Sequence, residues 1–281
     1  MVNNTTATTD FIIQFWGVRD GISTPGKDTV RYGGNTPCVE MRLGTKRLVF
    51  DGGSGLRVLG NHLLRQMPVE AHLFFSNCHW DRLQGFPFFI PAFIPINHFH
   101  LYGAATSEGE SMQQRLCNQM LPPNFPVPIQ VMGSKLEFYQ VTPDNQIFLD
   151  DIIIETRFLN YSQRSLGYRI TWQNCSVVYA TAPDEYAGHE DFQALVKDAD
   201  LLILAAPRPI NQEISFTALE PLWLDRVNLV KALGIKSLIL SNYDPEYDDD
   251  LLDSLATTVK TAFNKGSLAQ EGMVIPILQK A

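Results

Sequence analysis

Basic residues are in short supply in this chain. Lysine and arginine number 22 against 30 aspartates and glutamates, a net charge of −8 over 281 residues, so the surface repels a phosphate backbone, and no basic cluster offers a groove for one. A nucleic-acid partner is not expected. Cysteine is scarce too. Cys38, Cys78, Cys117 and Cys175 are far apart and form no CxxC pair, which argues against a disulfide framework or a zinc ribbon and fits reduced thiols. Long apolar runs are missing. The most apolar stretch, 86–96, is broken by Pro87, Pro91 and Pro95 and is too short to cross a bilayer as a helix. The opening MVNNTTATTD lacks the basic start and apolar segment of a signal peptide. The expectation is a cytoplasmic protein with no membrane partner.

What is present is an ordinary globular composition, 45% hydrophobic and 19% charged, in a chain long enough to bury roughly three quarters of its unfolded surface. Patterning predicts strands at 11–18, 38–43, 47–51, 71–76, 98–103, 129–131, 136–139, 147–159, 167–172, 176–180, 201–204, 237–240 and 273–278. Helices are expected at 56–65, 108–120, 192–197, 222–233 and 250–263. Strands and helices alternate in both halves with no low-complexity linker between them. This predicts one α/β domain over 1–281, with 1–10 as a flexible tail.

One stretch is specific. The segment FWGVRDGISTPGKDTVRYGGNTPCVEMRLGTKRLVFDGGSGLRVLG at 15–60 resembles the opening of metallo-β-lactamase-fold hydrolases of the phosphodiesterase-like branch. The resemblance continues in order through HWDRLQGFPFF, NFPVPI, LGYRI, VVYATAPDEY, ADLLILAAP and LILSNYDPEYDDDLLD, as far as residue 255. It implies a four-layer αββα sandwich of two similar halves, with a site along one edge where strand ends meet. It also implies two metal ions, commonly zinc, on a cluster of histidines and aspartates. Each ion takes about four nitrogen or oxygen donors and keeps a position for a water whose pKa it lowers.

Residue by residue, the chain departs from that ligand pattern. Asn77 stands at the first histidine position, His79 at the second, Asp81 at the aspartate and Arg82 at the final histidine of the first motif. Tyr161, Ala182 and Asn242 stand at the three later ligand positions, and Leu222-Trp223-Leu224-Asp225 lacks the histidine of a further family segment. Only His79 and Asp81 remain as ligands. Arg82 cannot deprotonate and repels a divalent ion from the space beside Asp81.

The resemblance, so altered, implies a noncatalytic pseudo-hydrolase with no cofactor, acting by binding a small ligand or a protein partner. Asn77, His79, Asp81, Arg82, Tyr161 and Asn242 are the residues expected to line its pocket. The alternative is an active hydrolase, for phosphodiesters, with one zinc on His79 and Asp81 or a metal-free site using His79 as base. A homodimer is left open.

The remaining features have plainer readings. Cys78 is expected to be a packed thiol, and Asp51 with Gly52-Gly53-Ser54-Gly55 a tight strand-to-helix turn. The acids at 244–253 precede a helix and meet its dipole. Phe88, Phe89 and Phe93 belong to a loop that packs as core or lid. His62, His72, His98, His100 and His189 fall in no ligand-spaced set, although His98 and His100 share one face of a strand.

Overall fold

The computed structural model describes residues 11–160, 164–181, 190–209 and 214–277. The apolar segments pair into two seven-stranded sheets. In the first, β1 (Phe11–Gly17), β2 (Cys38–Leu43), β3 (Lys46–Phe50), β4 (Glu70–Phe74), β5 (His98–Gly103) and β6 (Lys135–Gln140) are spatial neighbours in chain order. The second runs in the same way through β7 (Gln146–Leu149), β8 (Ile152–Asn160), β9 (Ser165–Trp172), β10 (Cys175–Ala180), β11 (Leu201–Ala205), β12 (Leu238–Ser241) and β13 (Gly266–Leu268). The late strand β14 (Val274–Ile277) crosses back to the first sheet, antiparallel to β1. Pairing is antiparallel from β1 to β3 and from β7 to β10, and parallel from β3 to β6 and from β10 to β13.

Helices cover the outer faces, because each parallel crossover needs one. On the first sheet, α1 (Ser54–Leu63) and α3 (Met112–Gln119) bury Leu56, Leu59, Leu63 and Leu116 with Val49, Ala71, Leu73, Phe99 and Leu101. On the second, α4 (Glu190–Val196), α5 (Phe216–Ala232) and α6 (Asp249–Ala262) join a larger cluster that also fills the space between the sheets. Trp223 on α5 and Tyr168, Phe50 and Phe74 on strands are fully buried there, and each such side chain contributes about 1.5–3 kcal/mol by leaving water. The order is helix, sheet, sheet, helix, which is the four-layer αββα sandwich. Among the described residues no helix is long and apolar enough to cross a membrane.

Several elements differ from the patterning. Residues 147–159, expected as one strand, form the hairpin β7–β8, because Asp150 takes a positive φ of 54° and turns the chain. Ile129–Val131 is a 3-10 turn rather than a strand, entered from Pro128, which has no amide hydrogen to give a ladder. The helix expected at 108–120 starts at Met112, where Ser111 and Gln114 close a capping box. The helix expected from 222 begins six residues earlier and runs through Pro221. A short α2 (Trp80–Leu83) and the strand β13 have no counterpart in the patterning.

Candidate functional site

Loops at the carboxyl ends of β3, β4, β10 and β12 meet along one edge, the place where parallel α/β sheets put their chemistry. Two backbone features bring them together. Gly85 lies so close to Gly53 that a Cβ built on it would stand 1.9 Å from the Gly53 carbonyl oxygen, and the Gly85 amide donates to the Gly52 carbonyl at 2.9 Å. Across the sandwich, the Leu166 amide donates to Ser76 O at 2.7 Å and the Tyr168 hydroxyl donates to Phe75 O at 2.7 Å.

Arg82, on α2, is the centre of this edge and is only 3% exposed. Its Nη1 donates to Asp51 Oδ2 at 2.9 Å and to Thr181 Oγ1 at 3.0 Å. Its Nη2 donates to Asp20 Oδ1 at 3.1 Å and to the Thr181 carbonyl at 3.3 Å. Asp81 Oδ2 lies 3.1 Å from Nε. With its amide oxygen turned to the guanidinium, Asn242 accepts from Nη1 at 2.6 Å and Nη2 at 2.9 Å. Burial acts to lower the pKa of Arg82, but Asp81, Asp51 and Asp20 together push it well above the ordinary guanidinium value.

The surrounding groups are committed to the same network. Asp51 is buried and takes a positive φ of 61°. Besides Arg82, it accepts from the Ser76 amide at 2.7 Å, the Ser76 hydroxyl at 2.9 Å and the Tyr179 hydroxyl at 2.8 Å. It is therefore the anchor of Arg82 as well as the turn residue expected from the sequence. Asp81 also accepts from the Gly21 amide at 3.3 Å. Burial raises the pKa of Asp20, while Arg82 and then Arg208 act against the rise; Arg208 Nη1 is 3.0 Å from Asp20 Oδ2. Asn77 is buried, donating to Ser165 Oγ at 3.3 Å and accepting from the His79 amide at 3.0 Å.

The His79 ring, in contrast, is exposed and makes no hydrogen bond among the described residues, and Trp80 beside it is 58% exposed. Of the six residues expected in the pocket, Arg82 is in direct contact with Asp81 and Asn242, Asn77 bonds Ser165 and the His79 amide, the His79 ring is exposed, and Tyr161 lies outside the described residues, as does Ala182. Asp20, Asp51, Thr181 and Arg208 join the network without having been singled out for it by the sequence. Cys78 fits its packed reading, since burial lifts its thiol to about 11, and all four cysteines are free.

The arrangement of sheets and helices matches known structures over nearly the whole chain. A metallo-β-lactamase fold protein, YhfI, from Bacillus subtilis superimposes with a TM-score of 0.68 at 17% identity, covering 96% of this chain and 100% of that one. The chain has the metallo-β-lactamase fold. Zn(2+)-bound PqqB from Methylobacterium extorquens shares this fold with a TM-score of 0.67 at 12% identity, over 95% of this chain and 100% of that one. A diphosphatase of the PhnP family gives 0.65 at 14% identity, over 96% and 98%. Neither a family model nor a curated protein matches the chain by sequence.

The metallo-β-lactamase fold also explains one correction. His72, His98 and His100 do belong to ligand-spaced sets: Glu70, His72 and His100, and His98, His100 and Glu137, each with donor atoms within 4.8 Å of one another. The spacing escaped the sequence because it arises from strand register, with His72 opposite His100 and His100 opposite Glu137. His62, by comparison, bonds Gln66 and packs on the Trp16 ring, and His189 lies outside the described residues.

Proposed function

We propose that this protein is a noncatalytic member of the metallo-β-lactamase-fold proteins, a pseudo-hydrolase whose edge is held by an arginine and which acts by binding. The observation that carries this reading is the Arg82 guanidinium among Asp20, Asp51, Asp81 and Asn242. A cation is built into the chain at the place where the fold's relatives are expected to gather metal ligands. The Asp81 carboxylate already has a fixed positive charge 3.1 Å away, which repels a divalent ion from it, and the Asn77 amide replaces an imidazole. The residues present do not fit a dinuclear metal centre.

The Nη donors of Arg82 are taken up by protein acceptors and its Nε faces the Asp81 carboxylate, so recognition falls to the exposed groups along this edge: His79 and Trp80, and Arg208, whose side chain is half exposed. This set suits an anionic small molecule or an acidic segment of a protein partner. A metal-free hydrolase using His79 as base is the weaker reading, because none of the described residues orients that ring.

The test is turnover of an activated phosphodiester together with zinc analysis of wild type, His79→Ala and Asp81→Asn. Background rates, with no zinc whose retention depends on His79 or Asp81, are the expected outcome. Turnover abolished by His79→Ala overturns the reading.

A further inference from the structure

A second polar cluster lies at the opposite end of β4 from Asn77. Parallel register sets Glu70 beside His98 and Lys135, His72 beside His100 and Glu137, and Phe74 beside Tyr102 and Tyr139. Side chains two apart on a strand share a face. Ala71, Leu73, Phe99 and Leu101 turn to the helices, so the cluster stands on the face toward the second sheet, where Phe74 and Tyr102 join the inter-sheet core.

Two imidazoles there are oriented alike. His100 has Nδ1 at 3.2 Å from Glu137 Oε2 and Nε2 at 3.1 Å from Glu70 Oε1. His72 has Nδ1 at 3.3 Å from the Tyr102 hydroxyl, while its Nε2 is buried with no hydrogen-bond partner among the described residues. The residue is 5% exposed. The rings stack with centroids 4.4 Å apart, and one donor atom from each, with one Glu70 oxygen, lies within 4.8 Å of the others. His72 Nδ1 thus has an oxygen partner that can hold its proton, and this tautomer leaves the buried His72 Nε2 lone pair free, whereas His100 faces a carboxylate through each nitrogen and gives up its Nε2 proton to Glu70 or solvent when it ligates. Metal-ligating histidines are fixed in the same manner by a partner on the far nitrogen.

We propose that Glu70, His72 and His100 bind a divalent transition-metal ion with zinc's ligand preference, with Glu137 and Tyr102 orienting the two imidazoles. Two imidazoles and one carboxylate are a zinc donor set that leaves a fourth position for water. Both histidines must be neutral to ligate. The strands, rather than loops, hold the donors, so small side-chain rotations bring them onto one ion.

The experiment is titration of chelator-treated full-length protein with zinc chloride in a calorimeter, repeated with cobalt to read its visible spectrum. One equivalent is expected to bind, and the melting temperature to rise on zinc addition. Glu70→Gln, whose side chain is 61% exposed and whose fold circular dichroism checks, weakens binding by about tenfold or more, as does Glu137→Gln through loss of orientation. His79→Ala binds as wild type does. No binding by wild type, or equal binding by wild type and Glu70→Gln, overturns the proposal. Binding lost only in His79→Ala overturns both this site and the pseudo-hydrolase reading, whereas binding lost in Glu70→Gln alone leaves that reading intact.

Discussion

At Arg82, one guanidinium is shared by three carboxylates: Asp81 beside it on α2, and Asp20 and Asp51 from two other segments. Removing it leaves Asp51 and Asp81 buried without a counter-charge, a change that typically costs about 3–5 kcal/mol. Arg82→Met is therefore expected to lose that much in urea unfolding. Arg82→Lys recovers only part of it, because an ammonium has no planar fork to span Asp51, Asp20 and Thr181. Unchanged stability in Arg82→Met removes Arg82 from this role. The Asp81–Arg82 pairing was legible because the two are adjacent in the chain. The contributions of Asp20, Asp51 and Thr181 were not, since nothing local in the sequence records that loops so distant converge.

The connection from β4 through α2 shows what single elements reveal. Here two backbones, at Gly53 and Gly85, touch with no room for a side chain. Gly85→Ala is expected to cost about 3 kcal/mol or more, because the new carbon meets main chain rather than a movable side chain. A smaller loss in thermal or urea unfolding contradicts that contact. β2 and β5 were readable to the residue from apolar runs bounded by turn residues. The β7–β8 hairpin was not, because Asp150 and Asp151 interrupt the apolar pattern without a glycine or proline to mark the turn. α5 extends six residues before its periodic pattern, because packing of Leu219 and Trp223 carries the helix across Pro221.

For the whole molecule, the buried histidine ties stability to pH. His72 titrates in the folded state at about 4 against an ordinary 6.5. Folding thus favours the neutral ring, and this contribution is complete above about 6.5 and is lost as the pH falls through about 4. Denaturant titrations in the presence of chelator are expected to show a decline of at most about 3 kcal/mol across that window, and His72→Phe is expected to flatten it. An unchanged slope in the variant removes His72 as the cause.

The four-layer architecture has one further consequence, for the order in which the chain is made. Phe11 pairs with Ile277 and Gln14 with Val274, so the first strand acquires its outer neighbour only when the last has left the ribosome. Until then β1 is a bare sheet edge able to recruit strands from other chains. β14, which then takes the outer position, carries Pro276, a residue that cannot donate to an added strand. Truncation before residue 274 restores that open edge, so clipped chains are expected to aggregate more readily than the full chain in light-scattering measurements.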